Sequence, residues 1–173
     1  PSLKTDTETL LRLVEASPQS YTGADPRTGR TATVPLDRDT VAGNIRGALY
    51  VGFSRSMLPF AISQSARGSH GPLLALGAAT GEWSVETMSL ASMLGVLCAE
   101  DVELARRVPA SDRAFGFMGD SYFRTFEAGC AAWPHRALPE PMLQPFSSSI
   151  PAMAISGVLD PVIEKLGLDV SYP

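Results

Sequence analysis

Between residues 5 and 16, Leu10, Leu11 and Val14 recur at helical spacing behind a capping-type start, which predicts an amphipathic helix. The next stretch, to Gly29, reads as a loop. Within it the run DPRTG, Asp25 to Gly29, carries turn chemistry. Residues 31–34 then supply the return strand of a small hairpin. Asp37 or Asp39 caps a helix running to about Tyr50, with Val41, Ile45, Ala48 and Leu49 on one face. A further helix is expected from Leu58, with Pro59 in its first turn and Gly68 as its stop. Residues 73–79 form a short helical piece. Residues 88–99 are apolar throughout, which predicts burial, and periodicity leaves helix or strand open. Residues 101–107 read as one or two helical turns, and 120–133 contain another helix. Pro134, Pro139, Pro141 and Pro145 stiffen an extended connector.

The connector leads into IPAMAISGVLDP, residues 150–161. A short apolar run closed by breakers reads as a buried parallel strand. In open α/β sheets chemistry gathers beyond the carboxyl ends of such strands, and Asp160 stands in that zone. A lone parallel strand can neither satisfy its backbone nor cover two apolar faces. Either its neighbours lie outside this chain or the segment is no strand.

Bulk composition narrows the partners. The chain has 173 residues, 45% of them apolar and 18% charged, which marks a globular protein. The net charge is −4, and the basic residues form no stripe interleaved with aromatics, so nucleic acid is not an expected partner. No apolar run approaches ~18 residues, so no membrane span is expected. The sequence opens at Pro1 without methionine or leader, and reads as a processed product or a piece of a longer gene.

Cys98 and Cys130 lack zinc spacing, and the two histidines do not complete a metal site; no metal and no cofactor are implied. The cysteines are either two buried thiols or a disulfide closing a loop of about 30 residues, worth roughly 3–4 kcal/mol in the chain-entropy model. The bonded form belongs to an exported protein.

Three separated segments together resemble one family: VLCAED at 96–101, CAAWP at 130–134, and SIPAMAISGVLDPV at 149–162. Their order and spacing look like α/β-hydrolase serine peptidases of the tripeptidyl aminopeptidase type, relatives of proline iminopeptidases. DPRTG, RGALY and MLPFAISQSARG upstream resemble that family's helical cap. The resemblance implies an α/β fold. Residues 1–145 would be a helical cap with its connector, and 146–173 a part of the core bearing the acid strand. It also implies an acyl-enzyme reaction releasing N-terminal residues or short peptides, with Asp160 as the acid of the triad. The matching G-x-S-x-G elbow is absent; Gly52-Phe53-Ser54-Arg55-Ser56 lacks the second glycine. No histidine follows Asp160. The serine and imidazole are therefore expected from flanking segments of the same protein, and this chain alone is expected to be inactive. After Asp160 the sequence departs from the family, with Val162-Ile163-Glu164-Lys165 in place of a threonine-proline pair.

Glu100 and Asp101 follow an apolar run, and carboxylates there suit a protonated substrate amine as well as they suit a helix start. His70 and His135 read as loop histidines. Trp83, Trp133, Phe115, Phe117, Phe123 and Phe126 read as core before pocket. The expected partner is a peptide or small-molecule substrate, and the expected location secreted or periplasmic, with cytoplasmic as the alternative. Two other functions fit the same residues: an esterase or other hydrolase on small molecules, and a non-catalytic helical interaction module.

Overall fold

The computed structural model of the chain describes residues 2–25, 28–87, 89–113, 116–144, 147 and 149–151; for 81–87 it describes the backbone alone. Two compact units divide at Leu143 and Gln144.

The first unit opens with α1, Leu3–Ala16, whose N-cap Ser2 accepts a hydrogen bond from the Thr5 amide. Leu10, Leu11 and Val14 are buried on one face. Strands β1, Gln19–Ala24, and β2, Thr31–Leu36, pair antiparallel with Tyr21 opposite Val34 and Gly23 opposite Ala32. The turn closes where the Gly29 amide donates to the Asp25 carbonyl, and Gly29 takes the positive φ of 68° that glycine accepts without strain. Period-2 alternation turns Tyr21, Gly23, Ala32, Val34 and Leu36 to one face, which is the less exposed one.

Helix α2, Arg38–Leu49, starts at Asp37, whose carboxylate accepts from the Thr40 amide at 2.8 Å. Those hydrogen bonds hold the Asp37 pKa below the usual carboxylate value. Helix α3 spans Gly52–Ser65 and α4 spans Gly71–Thr87. Together with α1, α2 and Leu36 of β2 they enclose the main core, built on Leu10, Val41, Ile45, Leu58, Ile62 and Leu73. Helix α3 begins well before the expected Leu58, so Pro59 lies inside it rather than in its first turn. The reason is packing. Ser54, Leu58, Ala61, Ile62 and Ser65 make one buried helical face, and that face outweighs the missing proline amide.

Helix α5, Leu90–Ala99, α6, Asp101–Arg106, and α8, Ser121–Ala132, pack on one another around a second, smaller core of Cys98, Val102 and Cys130. Between α6 and α8 lies the short α7, Ala110–Arg113. From Leu90 to Ala99 the apolar stretch is a helix and not wholly buried. Leu90 is 57% exposed and Val96 51%, while Cys98 is buried. The connector contains a 3-10 turn at Glu140–Leu143.

The α/β expectation is therefore corrected. Among the described residues the regular structure is eight α-helices, a two-stranded antiparallel sheet and a 3-10 turn, with no parallel pairing. Among those residues the architecture is helical and holds no core parallel strand of the kind an α/β-hydrolase fragment requires. The strands that do form satisfy each other's backbones locally, which a solitary parallel strand cannot do. Of the second unit little is described: Ile150 stands in a bend and Pro151 outside any strand. The rest of the expected acid strand, with Asp160, lies outside the described residues.

Candidate functional site

The hairpin's inner face lies over α2 and α4 and leaves a slot of about 310 Å³. Tyr21, Gly23, Ala32 and Val34 form its roof, and Leu74, Ala75 and Ala78 of α4 form its apolar floor. Thr40 and Asn44 of α2 form a wall, and Asp25 closes one end. Two side chains bring chemistry to this space. The Tyr21 hydroxyl comes close to Gly71, where a Cβ would lie 3.2 Å from it. The Asn44 amide lies against Gly77, so closely that a Cβ there would collide with it. Glycine at 77 is thus what leaves room for the amide on the facing helix. Asn44 is half-buried and makes no hydrogen bond to another described residue, and the same holds for the Tyr21 hydroxyl. The carboxylate of Asp25 accepts from the Thr28 amide at 3.2 Å.

This cluster was missed from sequence. Its signal was present: Asn44 sits among Val41, Ile45 and Ala48, a polar residue on the inward stripe of an amphipathic helix.

Those residues singled out from sequence that the structure describes are placed apart from the slot. Cys98 and Cys130 are disulfide-bonded, with Cα atoms 5.3 Å apart. Leu94, Phe123, Phe126 and Trp133 pack around the pair. Phe117 packs instead against the main core. Phe115 and the Trp83 side chain lie outside what is described. Glu100 and Asp101 are exposed at the junction of α5 and α6, Asp101 in the first turn of α6. His135 bonds through Nδ1 to the Trp133 carbonyl oxygen at 2.8 Å. His70 precedes α4, with Nδ1 buried and unpartnered, and burial pushes its pKa below the usual imidazole value. Ser54 is buried inside α3 and is not exposed on an elbow.

A second polar cluster joins the two cores. Arg46 of α2 lies over the rings of Tyr50, at 5.2 Å, and Tyr122 of α8, at 4.5 Å. Its Nη2 donates to the Tyr50 hydroxyl at 3.1 Å and more weakly to that of Tyr122 at 3.5 Å. Tyr122 stands edge-on to Phe126, with centroids 4.5 Å apart. Burial raises the Tyr122 pKa, against the pull of Arg46. Nearby, Arg124 of α8 pairs with Asp39 of α2 at 2.9 Å, and Arg38 donates to the Phe117 carbonyl at 3.4 Å.

Among the described residues no group of three His, Cys, Asp or Glu side chains gathers to hold a metal, and no helix is long and apolar enough to cross a membrane. No family model matches the chain, and no curated protein or solved structure matches it.

Proposed function

We propose that residues 1–143 are the substrate-recognition part of a serine hydrolase acting on short peptides, a helical module that receives the substrate and takes no part in bond cleavage. One observation carries this reading. VLCAED and CAAWP, two of the segments that resemble the tripeptidyl aminopeptidase type, are the two that the Cys98–Cys130 bond ties together. A covalent brace at that point holds α5 and α8 as one rigid element, the kind of support a binding surface needs. In this reading Asp160 supplies the carboxylate that orients a histidine and stabilises its protonated form. The serine ester forms and breaks on residues that the described part of the chain does not bring together.

The test is hydrolysis of tripeptidyl and aminoacyl chromogenic substrates by this chain. The expected result is no turnover above background. Clear turnover that survives Asp160→Asn overturns the reading, because the module would then carry catalytic groups of its own.

A second reading, a non-catalytic interaction module, is favoured by one face of α3. Phe53 is 74% exposed, Phe60 53% and Met57 38%, at the spacing of a helix laid against a partner. Concentration-dependent association in sedimentation, lost in the Phe53→Ser/Phe60→Ser variant, supports this reading. A monomer at all concentrations counts against it.

A further inference from the structure

We infer that the groove between α1 and the Gly116–Phe117 segment binds a medium-chain carboxylate, an amphiphile with one negative head and an apolar tail. The inference goes beyond the recognition reading above and does not rest on it.

The argument starts from the spacing along α1. The groove has a volume of about 750 Å³, within the range of about 300–1,000 Å³ that small-molecule sites occupy. Helix α1 lines it with two neighbouring rows, each stepping four residues at a time: Leu3, Thr7 and Leu11, and beside them Lys4, Glu8 and Arg12. The first row is mainly apolar. Leu11 belongs to the main core and is 5% exposed, whereas Leu3 is 47% exposed, so the row climbs from the interior to the surface. Thr7 already donates its hydroxyl to the Leu3 carbonyl at 2.8 Å. Phe117, packed against the main core, supplies apolar surface to the same groove. From Leu3 to Leu11 the row is about 12 Å long at the helical rise per residue, which matches a chain of several methylenes.

Charge narrows the ligand further. The chain carries 14 basic and 18 acidic residues, yet three cations, Lys4, Arg12 and Arg38, line the groove against the single carboxylate of Glu8. Lys4 and Arg38 stand in the first turns of α1 and α2, where the helix dipole favours acids, so helix stability does not account for them. Arg12 engages only its Nε within the described residues, donating to the Glu8 carbonyl oxygen at 3.3 Å. The contacts of Arg38, to Glu15 and to the Phe117 carbonyl, are each 3.4 Å, longer than an ordinary hydrogen bond. A ligand carboxylate offers its guanidinium a shorter, charge-assisted bond. Set against Glu8 and Glu15, the three cations leave a surplus of one, which one carboxylate neutralises. A small anion leaves the Leu3–Thr7–Leu11 row unused, and an uncharged chain leaves the cations unused. A medium-chain carboxylate uses both.

The probes are octanoate, acetate, 1-octanol and octyl phosphate, titrated at neutral pH into the 15N-labelled chain and followed by NMR. Octanoate is expected to shift the amide signals of Thr7, Leu11 and Phe117 together. Acetate at the same concentration is expected to leave them in place. 1-Octanol is expected to bind about fivefold or more weakly, the size of one lost charge-assisted hydrogen bond. Lys4→Gln/Arg12→Gln, at two exposed positions where the fold tolerates the change, is expected to weaken octanoate by about tenfold. Leu3→Ser, which removes apolar contact at the surface end of the row, is expected to weaken it by about threefold. Failure of octanoate to shift these signals overturns the inference, as does unchanged affinity in either variant. Equal shifts with acetate overturn it by showing that the tail is not read, and equal binding of 1-octanol by showing that the head is not. Tighter binding of octyl phosphate overturns the assignment of a singly charged carboxylate head. None of these outcomes bears on turnover, so the groove and the hydrolase reading fail independently.

Discussion

The guanidinium of Arg46 stands 4.5 Å from the ring centroid of Tyr122, across the seam between α2 and α8. The residues are 76 positions apart, and their contact is one of two arginine-mediated links between α2 and α8 among the described residues. Cation–π attraction at partly exposed sites is worth about 0.5–1 kcal/mol per ring. Arg46→Ala, which gives up two rings, is expected to cost about 1–2 kcal/mol in urea unfolding. Arg46→Lys should recover only part of this, because a lysine cannot stack a planar fork. A double-mutant cycle with Tyr122→Leu isolates the pair, and zero coupling would remove Arg46 from its role as a clamp.

The Cys98–Cys130 bond spans 32 positions. Constraining an unfolded loop of that size is worth about 3–4 kcal/mol. Cys98→Ala/Cys130→Ala and chemical reduction should each lower the unfolding free energy by that order, and should do so equally. The comparison is made by denaturant titration with and without reductant. A double variant as stable as the oxidised chain would show that α5, α6 and α8 hold together by apolar packing alone.

The buried, unpartnered Nδ1 of His70 gives an acid response. Its folded pKa is depressed by burial from an ordinary value of 6.5. The unfolded chain therefore binds the proton more readily, and stability rises with pH across that window. Above 6.5 the contribution is complete; it is lost as pH falls from there through the folded value. The thermal midpoint should drop between pH 7.5 and 5, and His70→Asn should flatten that part of the profile. An unchanged slope in the variant would place the acid response elsewhere.

Asp37 caps α2 through the Thr40 amide. Asp37→Ala is expected to cost about 1 kcal/mol, and Asp37→Asn, which keeps an acceptor, a few tenths. Because hydrogen bonds hold the folded pKa below 3.8, the carboxylate's contribution is present above that value and declines as pH falls below it. Equal losses in both variants, measured at pH 7, would shift the effect from the hydrogen bond to the charge.

Much of the fold was legible locally. The DPRTG turn, the Asp37 cap and the apolar stripes of α1 and α2 are each decided within a few residues. What failed depended on distant neighbours. Proline at 59 looked like a helix start because the buried face from Ser54 to Ser65 matters only once α1 and α4 pack against it. The apolar run in α5 looked buried because composition does not report how many neighbours a helix acquires; Leu90 and Val96 have few. Of the strand expected at 150–161 from an apolar run closed by breakers, only Ile150 and Pro151 lie within the described residues, and neither is in a strand. In the slot, Asn44 was readable as an oddity on an apolar stripe, whereas Gly77, more than thirty positions away, gave no sign of the amide it accommodates.

The paired cores have one more consequence. Each has its own apolar centre, and the arginine contacts of Arg46 and Arg124 tie α2 of one to α8 of the other. Such a molecule need not melt as one body. Heat or denaturant should first part the seam and then dissolve each half on its own terms, so that calorimetric enthalpy exceeds the van't Hoff value. High salt, which screens guanidinium contacts but spares oily interiors, would widen the interval between the two events.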